Sequence, residues 1–188
     1  MKKEVKITQN ISFNEIPLNA DLFQPPEGEE NGAAIVIVHG GGWREGDKTQ
    51  LGGYGLLLAR EGFVCLCTSY RLSQEERWPA QIRKYENSDV TVDAYKALMG
   101  DEAQQEDYDL ASPLLQIQED FPPTMLIHGS TDSVVSLSDS TDLYDKLTNL
   151  GVPTELHIFS EEEHAFDSQS GYGRLVAELQ NLFFKKYL

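Results

Sequence analysis

The chain is short of four things, and each shortage removes a class of function. Basic residues are scarce: 15 Lys and Arg stand against 31 Asp and Glu, a formal charge of −16. Long-range electrostatics therefore oppose phosphate backbones and anionic membranes, and nucleic acid is not an expected partner. No apolar run reaches the 18 residues that suggest a membrane span, and residues 1–6 lead into alternating polar and apolar positions, not the unbroken apolar stretch of a leader. The expectation is a soluble, cytoplasmic protein with no membrane partner. Histidine occurs four times, as His39, His128, His157 and His164, with no spaced pair resembling a zinc motif. No metal and no cofactor are expected. Cysteine occurs twice, as Cys65 and Cys67. Two apart in a strand-like run, their side chains share a face and a disulfide between them would be strained, so they read as free, small core residues.

What is present suffices for one domain spanning 1–188, with 40% hydrophobic residues and a length too small for two comfortable domains. Residues 4–13 and 18–24 alternate as half-exposed strands do, with Pro25-Pro26-Glu27-Gly28 as a loop after them, and form an antiparallel edge hairpin. Residues 33–38 are continuously apolar and β-branched, the pattern of a central strand covered on both faces. A helix over 51–60 and a second buried strand over 63–68 complete one crossover unit, and Pro79 starts another helix. A strand over 124–127, a helix over 138–150 closed by Gly151, a strand over 154–159 and a final helix over 174–187 follow. The alternation predicts an α/β sandwich with a mostly parallel central sheet.

Three segments carry chemistry. In His39-Gly40-Gly41-Gly42-Trp43, three glycines directly after a buried strand free successive backbone N–H groups from Cβ interference, as donors to a developing oxyanion require. Gly41 and Gly42 are the candidate donors, with His39 and Trp43 as structural residues beside them. This string resembles the alpha/beta-hydrolase fold, in particular carboxylesterases and lipases with an HGGG-type oxyanion loop. Ser69-Tyr70-Arg71-Leu72-Ser73, Trp78-Pro79-Ala80-Gln81 and Ala111-Ser112-Pro113-Leu114 also resemble recurring strings of that family.

The second segment is His128-Gly129-Ser130-Thr131-Asp132-Ser133-Val134-Val135. A carboxylate at the tip of a strand accepts from an imidazole N–H and stabilises the imidazolium formed in catalysis. The resemblance implies that Asp132 is the triad acid, while His128 reads as structural. The third segment, Ser160-Glu161-Glu162-Glu163-His164-Ala165-Phe166, is a loop after the last strand. Its order, histidine after acid, matches the family's general base, carried over to His164. The three adjacent carboxylates depart from what such a base prefers, because they favour the charged ring.

The family's nucleophile is not found. No Gly-X-Ser-X-Gly occurs, and only 33 residues separate Trp78 from Ser112, where two more crossover units need roughly 60. The resemblance thus implies a sandwich lacking one or two central strand–helix units, with a seam near residues 83–87. Ser88 is the nearest replacement serine, although Asn87-Ser88-Asp89 has the character of a turn. Cys67 is a poorer one, its thiol blunted by burial. Two functions stay open. One is a carboxylic-ester hydrolase acting on a small ester substrate, impaired as far as this sequence lacks the serine. The other is a noncatalytic relic of the fold, a binding or dimerising module whose exposed sheet edge pairs with a second copy.

Overall fold

The protein is described by a computed structural model over residues 4–12, 18–75 and 98–188. In chain order its elements are β1 (Lys6–Ser12), β2 (Asn19–Gln24), β3 (Ala34–Val38), α1 (Gly52–Arg60), β4 (Val64–Thr68), α2 (Gln105–Leu110), α3 (Pro113–Gln116), β5 (Thr124–Gly129), α4 (Leu137–Asn149), β6 (Thr154–Phe159), a short 3-10 turn (Phe166–Ser168) and α5 (Ser170–Tyr187). They fall into two compact units. One comprises residues 1–72, 173–186 and 188, the other residues 73–172 and 187. Among the described residues no helix is long and apolar enough to cross a membrane.

The first unit holds a mixed sheet of order β1-β2-β4-β3, in which β2 runs antiparallel to both β1 and β4 while β3 and β4 are parallel. The parallel pair needs a crossover, and α1 supplies it. Helix and sheet close on Phe23, Leu58, Ala59, Phe63, Cys65 and Cys67, all buried, with Phe184 of α5 packed against the same cluster. The approach is close enough that a Cβ on Gly55 of α1 would press on the Phe23 ring and the Cys67 sulfur. Both cysteines are free. Burial pushes the Cys65 thiol up to about 12 and the Cys67 thiol up to about 11, so neither supplies a thiolate at neutral pH.

One expectation is not met among the described residues: β3 ends the order of described strands, and along one face Val36 and Val38 are 64% and 55% exposed. Its continuous β-branched run has the composition of a doubly covered strand, but composition reports a strand's capacity for burial and not whether a neighbour is there to provide it. The helix expected from Pro79, the seam at 83–87 and Ser88 lie outside the described residues.

A buried ion pair ties the hairpin to the loop after β3. Lys48 Nζ donates to Asp21 Oδ1 at 2.7 Å, with both side chains less than a tenth exposed. The same carboxylate oxygen accepts the N–H of Asn10 at 2.9 Å. Asn10 has φ +55° and sits where the β1–β2 register shifts, so Asp21 secures a bulge as well as a lysine.

The second unit contains a two-stranded parallel sheet, β5 beside β6, in register from Thr124 opposite Thr154 to Gly129 opposite Phe159. α4 forms the crossover and packs through Leu147 on Ile117 and Val152. Its C-terminus closes at Gly151, whose φ of +78° suits glycine. Ser112 caps α3 by accepting the Leu115 N–H at 3.0 Å. α2 and α3 were not expected: with six and four residues, they are too short for apolar periodicity to show.

Removing one partner of the buried pair leaves the other charge uncompensated, which costs about 3–5 kcal/mol. Lys48→Ala is therefore expected to lower the urea midpoint sharply, and Asp21→Asn with Lys48→Met together to recover part of the loss. A single-mutant cost below about 1 kcal/mol would show that solvent screens the pair.

Candidate active site

Two loops of the second unit build the site, and the parallel strands determine where they start. Both loops leave the same end of the β5–β6 ladder, one at Gly129 and the other at Phe159, which face each other in register. Five hydrogen bonds then join them. Ser130 N–H donates to the Phe159 carbonyl at 2.8 Å, and Thr131 N–H to the Glu162 carbonyl at 3.1 Å. Glu161 N–H donates to Ser130 Oγ at 2.9 Å. Ser133 Oγ donates to Glu163 Oε2 at 3.0 Å, and the Ser133 N–H reaches the same oxygen at 3.2 Å. A Cβ on Gly129 would collide with the Glu162 carbonyl, so the loops meet this closely only because that position is glycine.

The joined loops bring together the two residues that the sequence singled out. His164 Nδ1–H donates to Asp132 Oδ2 at 2.9 Å across 32 positions of chain. The other carboxylate oxygen, Oδ1, accepts the N–H groups of Val134 and Val135 at 2.9 and 2.8 Å. The Asp132 side chain is 7% exposed and that of His164 48%, so the carboxylate is buried behind an imidazole that faces solvent. Burial acts to raise the Asp132 pKa. The Val135 N–H, His164 and the Val134 N–H together outweigh it and hold the carboxyl below its usual range.

The loop carrying His164 is held in a strained shape. Glu161 and Ala165 both lie in the left-handed region, at φ +62° and +56°, a conformation that costs a non-glycine residue about 1 kcal/mol. Beyond them Phe166 is buried against Phe159 and Tyr172, with ring centroids 4.8 and 5.3 Å away. Two of the three neighbouring carboxylates are engaged: Glu163 with Ser133, and Glu162 with the Tyr172 hydroxyl, whose pKa that bond pushes up.

The glycine loop belongs to the first unit. His39 is buried and stacked on Tyr70, with centroids 4.3 Å apart, and its Nδ1–H donates to the Gly40 carbonyl at 2.7 Å. Gly41 and Gly42 are exposed with φ +118° and +56°, and the Gly41 carbonyl accepts from Arg44 and Glu45 at 3.1 and 3.2 Å. Trp43 follows at φ +59°, unusual for an aromatic residue. A Cβ on Gly41 would strike the Glu45 carbonyl, so this glycine is required for space as well as for its dihedral.

The sequence marks Asp132 and His164, which the structure pairs, but not the groups that hold them. Glu163 stands in the sequence as one of three adjacent acids, and nothing in its type or spacing marks it as the partner of Ser133. His157, on β6, faces Glu155 at 3.4 Å.

The comparisons agree with this architecture. The profile of the prolyl oligopeptidase family matches residues 80–188, and that of BD-FAE matches residues 20–90. No curated protein matches in sequence. Among solved structures, a truncated form of a carbohydrate esterase from gut microbiota superposes with TM-score 0.76 at 15% identity, covering 97% of this chain and 98% of that one. Esterase 2 of Thermogutta terrifontis phosphoramylated by tabun superposes with TM-score 0.75 at 15% identity, covering 97% and 94%. The same esterase with butyrate bound gives 0.73 at 14%, covering 97% and 94%.

Two outcomes follow from this geometry. Gly129→Ala forces the loops apart, at an overpacking cost of about 1–3 kcal/mol, and should raise the hydrogen-exchange rate of the Thr131 amide; an unchanged rate would contradict the collision. Asp132 titrates lower in the native than in the unfolded state, so its contribution is complete above about pH 4 and is lost as pH falls through the lower native value. The thermal midpoint should therefore drop below about pH 4, and by less in Asp132→Asn. Parallel curves for the two proteins would show that Asp132 is not held in its charged form.

Proposed function

Because the chain belongs to the prolyl oligopeptidase family and has the alpha/beta-hydrolase fold of esterases, we propose that its chemistry is hydrolysis of small carboxylic esters by acyl transfer. The observation that carries this reading is the 2.9 Å bond from His164 Nδ1–H to a buried carboxylate that is itself fixed by two backbone N–H groups. A carboxylate on Nδ1 leaves Nε2 as the basic nitrogen, turned to a half-exposed face where a hydroxyl can deliver its proton. In the proposed cycle His164 takes the proton of the attacking hydroxyl as the C–O bond to the acyl carbon forms. Asp132 stabilises the resulting imidazolium. Gly41 and Gly42 offer their N–H groups to the oxyanion, and the alcohol leaves with the proton returned by His164. Water then repeats the sequence and releases the acid.

Ser88 is the candidate hydroxyl nearest the expected position. A second reading, a noncatalytic relic that binds or dimerises, is favoured by the absence of Gly-X-Ser-X-Gly from the 188 residues. The exposed Val36 and Val38 of β3 are the edge such a dimer would use.

A fluorophosphonate probe and a short p-nitrophenyl ester separate the readings. The hydrolase reading expects a covalent adduct by intact mass and measurable turnover. His164→Ala should reduce both by about 10³-fold or more, and peptide mapping of the adduct should identify the attacking residue directly. A chain of 21.1 kDa that gains no adduct and turns over no ester is the relic, and its mass in sedimentation should then rise with concentration.

A further inference from the structure

The geometry points to His128 as a positioning residue for the Asp132–His164 pair, a step that rests on the hydrolase reading above. His128 stands near the end of β5, four residues before Asp132, and its ring is buried. Both ring nitrogens are committed. Nε2–H donates to the Val135 carbonyl at 3.1 Å, since a carbonyl only accepts, which leaves Nδ1 of the neutral ring to accept the Ser140 hydroxyl at 2.7 Å. The same Nε2 lies 3.5 Å from Asp132 Oδ2.

Asp132 Oδ2 is therefore flanked by two imidazoles, His164 at 2.9 Å on the exposed side and His128 at 3.5 Å on the buried side. Val135 links two of these groups: its N–H holds Asp132 Oδ1 while its carbonyl is held by His128. The carboxylate cannot turn about its Cβ–Cγ bond without giving up the backbone N–H groups on Oδ1 or moving Oδ2 away from the His128 ring. His128 thus fixes the direction from which Oδ2 meets His164. That direction has a chemical consequence. A free imidazole prefers its proton on Nε2, whereas the base needs it on Nδ1, and an oriented carboxylate imposes the second tautomer. Ser140 on α4 completes the chain of contacts by keeping the Nε2–H form of His128.

This role makes a prediction that packing alone does not. Imidazole ¹H–¹⁵N correlation spectra of the full chain should show wild-type His164 in the Nδ1–H form and His128 in the Nε2–H form. In His128→Leu, the His164 ring should shift toward Nε2–H with loss of its Nδ1 proton resonance. His128→Gln, whose amide N–H can replace Nε2–H, should restore the wild-type pattern. Ser140→Ala, which loosens the ring without removing it, should move the His164 population the same way to a smaller extent, and decides the matter if His128→Leu does not fold. His164 remaining wholly in the Nδ1–H form in the variants that fold would overturn the inference while leaving the Asp–His pair intact. A wild-type His164 without an Nδ1 proton resonance would overturn the pair itself, and the inference with it.

Discussion

The parallel pairing of β5 with β6 is the constraint on which the candidate site depends. Its register sets Gly129 against Phe159, so the two loops leave the sheet from one level, a few ångströms apart, before any of their side chains has formed a contact. A shift of one residue would turn every β6 side chain to the other face and displace the loop with it. The hydrogen bonds among Ser130, Thr131, Ser133 and residues 161–163 then convert this shared starting level into a fixed distance between a carboxylate and an imidazole. Secondary structure provides the approach, and loop polar groups provide the final ångström.

The glycine loop in the first unit reaches its shape by different means. Gly41, Gly42 and Trp43 all take positive φ in succession, and on its flanks His39 stacks on Tyr70 and Lys48 is locked to Asp21. Backbone dihedrals define the loop and the buried flanks keep it from relaxing. The ion pair therefore matters to the loop more than to the sheet. It fixes the segment following the glycines to β2, with the Asn10 bulge held by the same carboxylate.

How much of this could be read from sequence follows from the range over which each signal acts. Strands and long helices announce themselves within ten residues, and so β1 to β6, α1, α4 and α5 lie within a few residues of the expected spans. Asp132 and His164 were legible because each follows a strand end in a recognisable string, and the structure brings them together. Val36 and Val38 misled because exposure depends on what lies across the sheet and not on the strand itself. Glu163 and Asp21 carried no signal either, and His128 showed only as a structural residue. Each does its work through a partner between 7 and 30 positions away, Glu163 with Ser133, His128 with Val135 and Asp21 with Lys48, and no local pattern encodes a pairing of that kind.

The strain around His164 bears on the choice between an enzyme and a relic. Glu161 and Ala165 hold left-handed conformations on either side of the base, a combined cost of about 2 kcal/mol that glycine at either position would relieve. Asp132 adds a buried carboxylate whose charge has to be stabilised by two N–H groups and an imidazole. Nothing in the packing of β5, β6 and α4 on Leu147 and Val152 requires either feature. A fold relieved of chemistry has no physical reason to keep strain and buried charge at the same point. Their joint presence at Asp132 and His164 is the arrangement that the proposed proton relay would use.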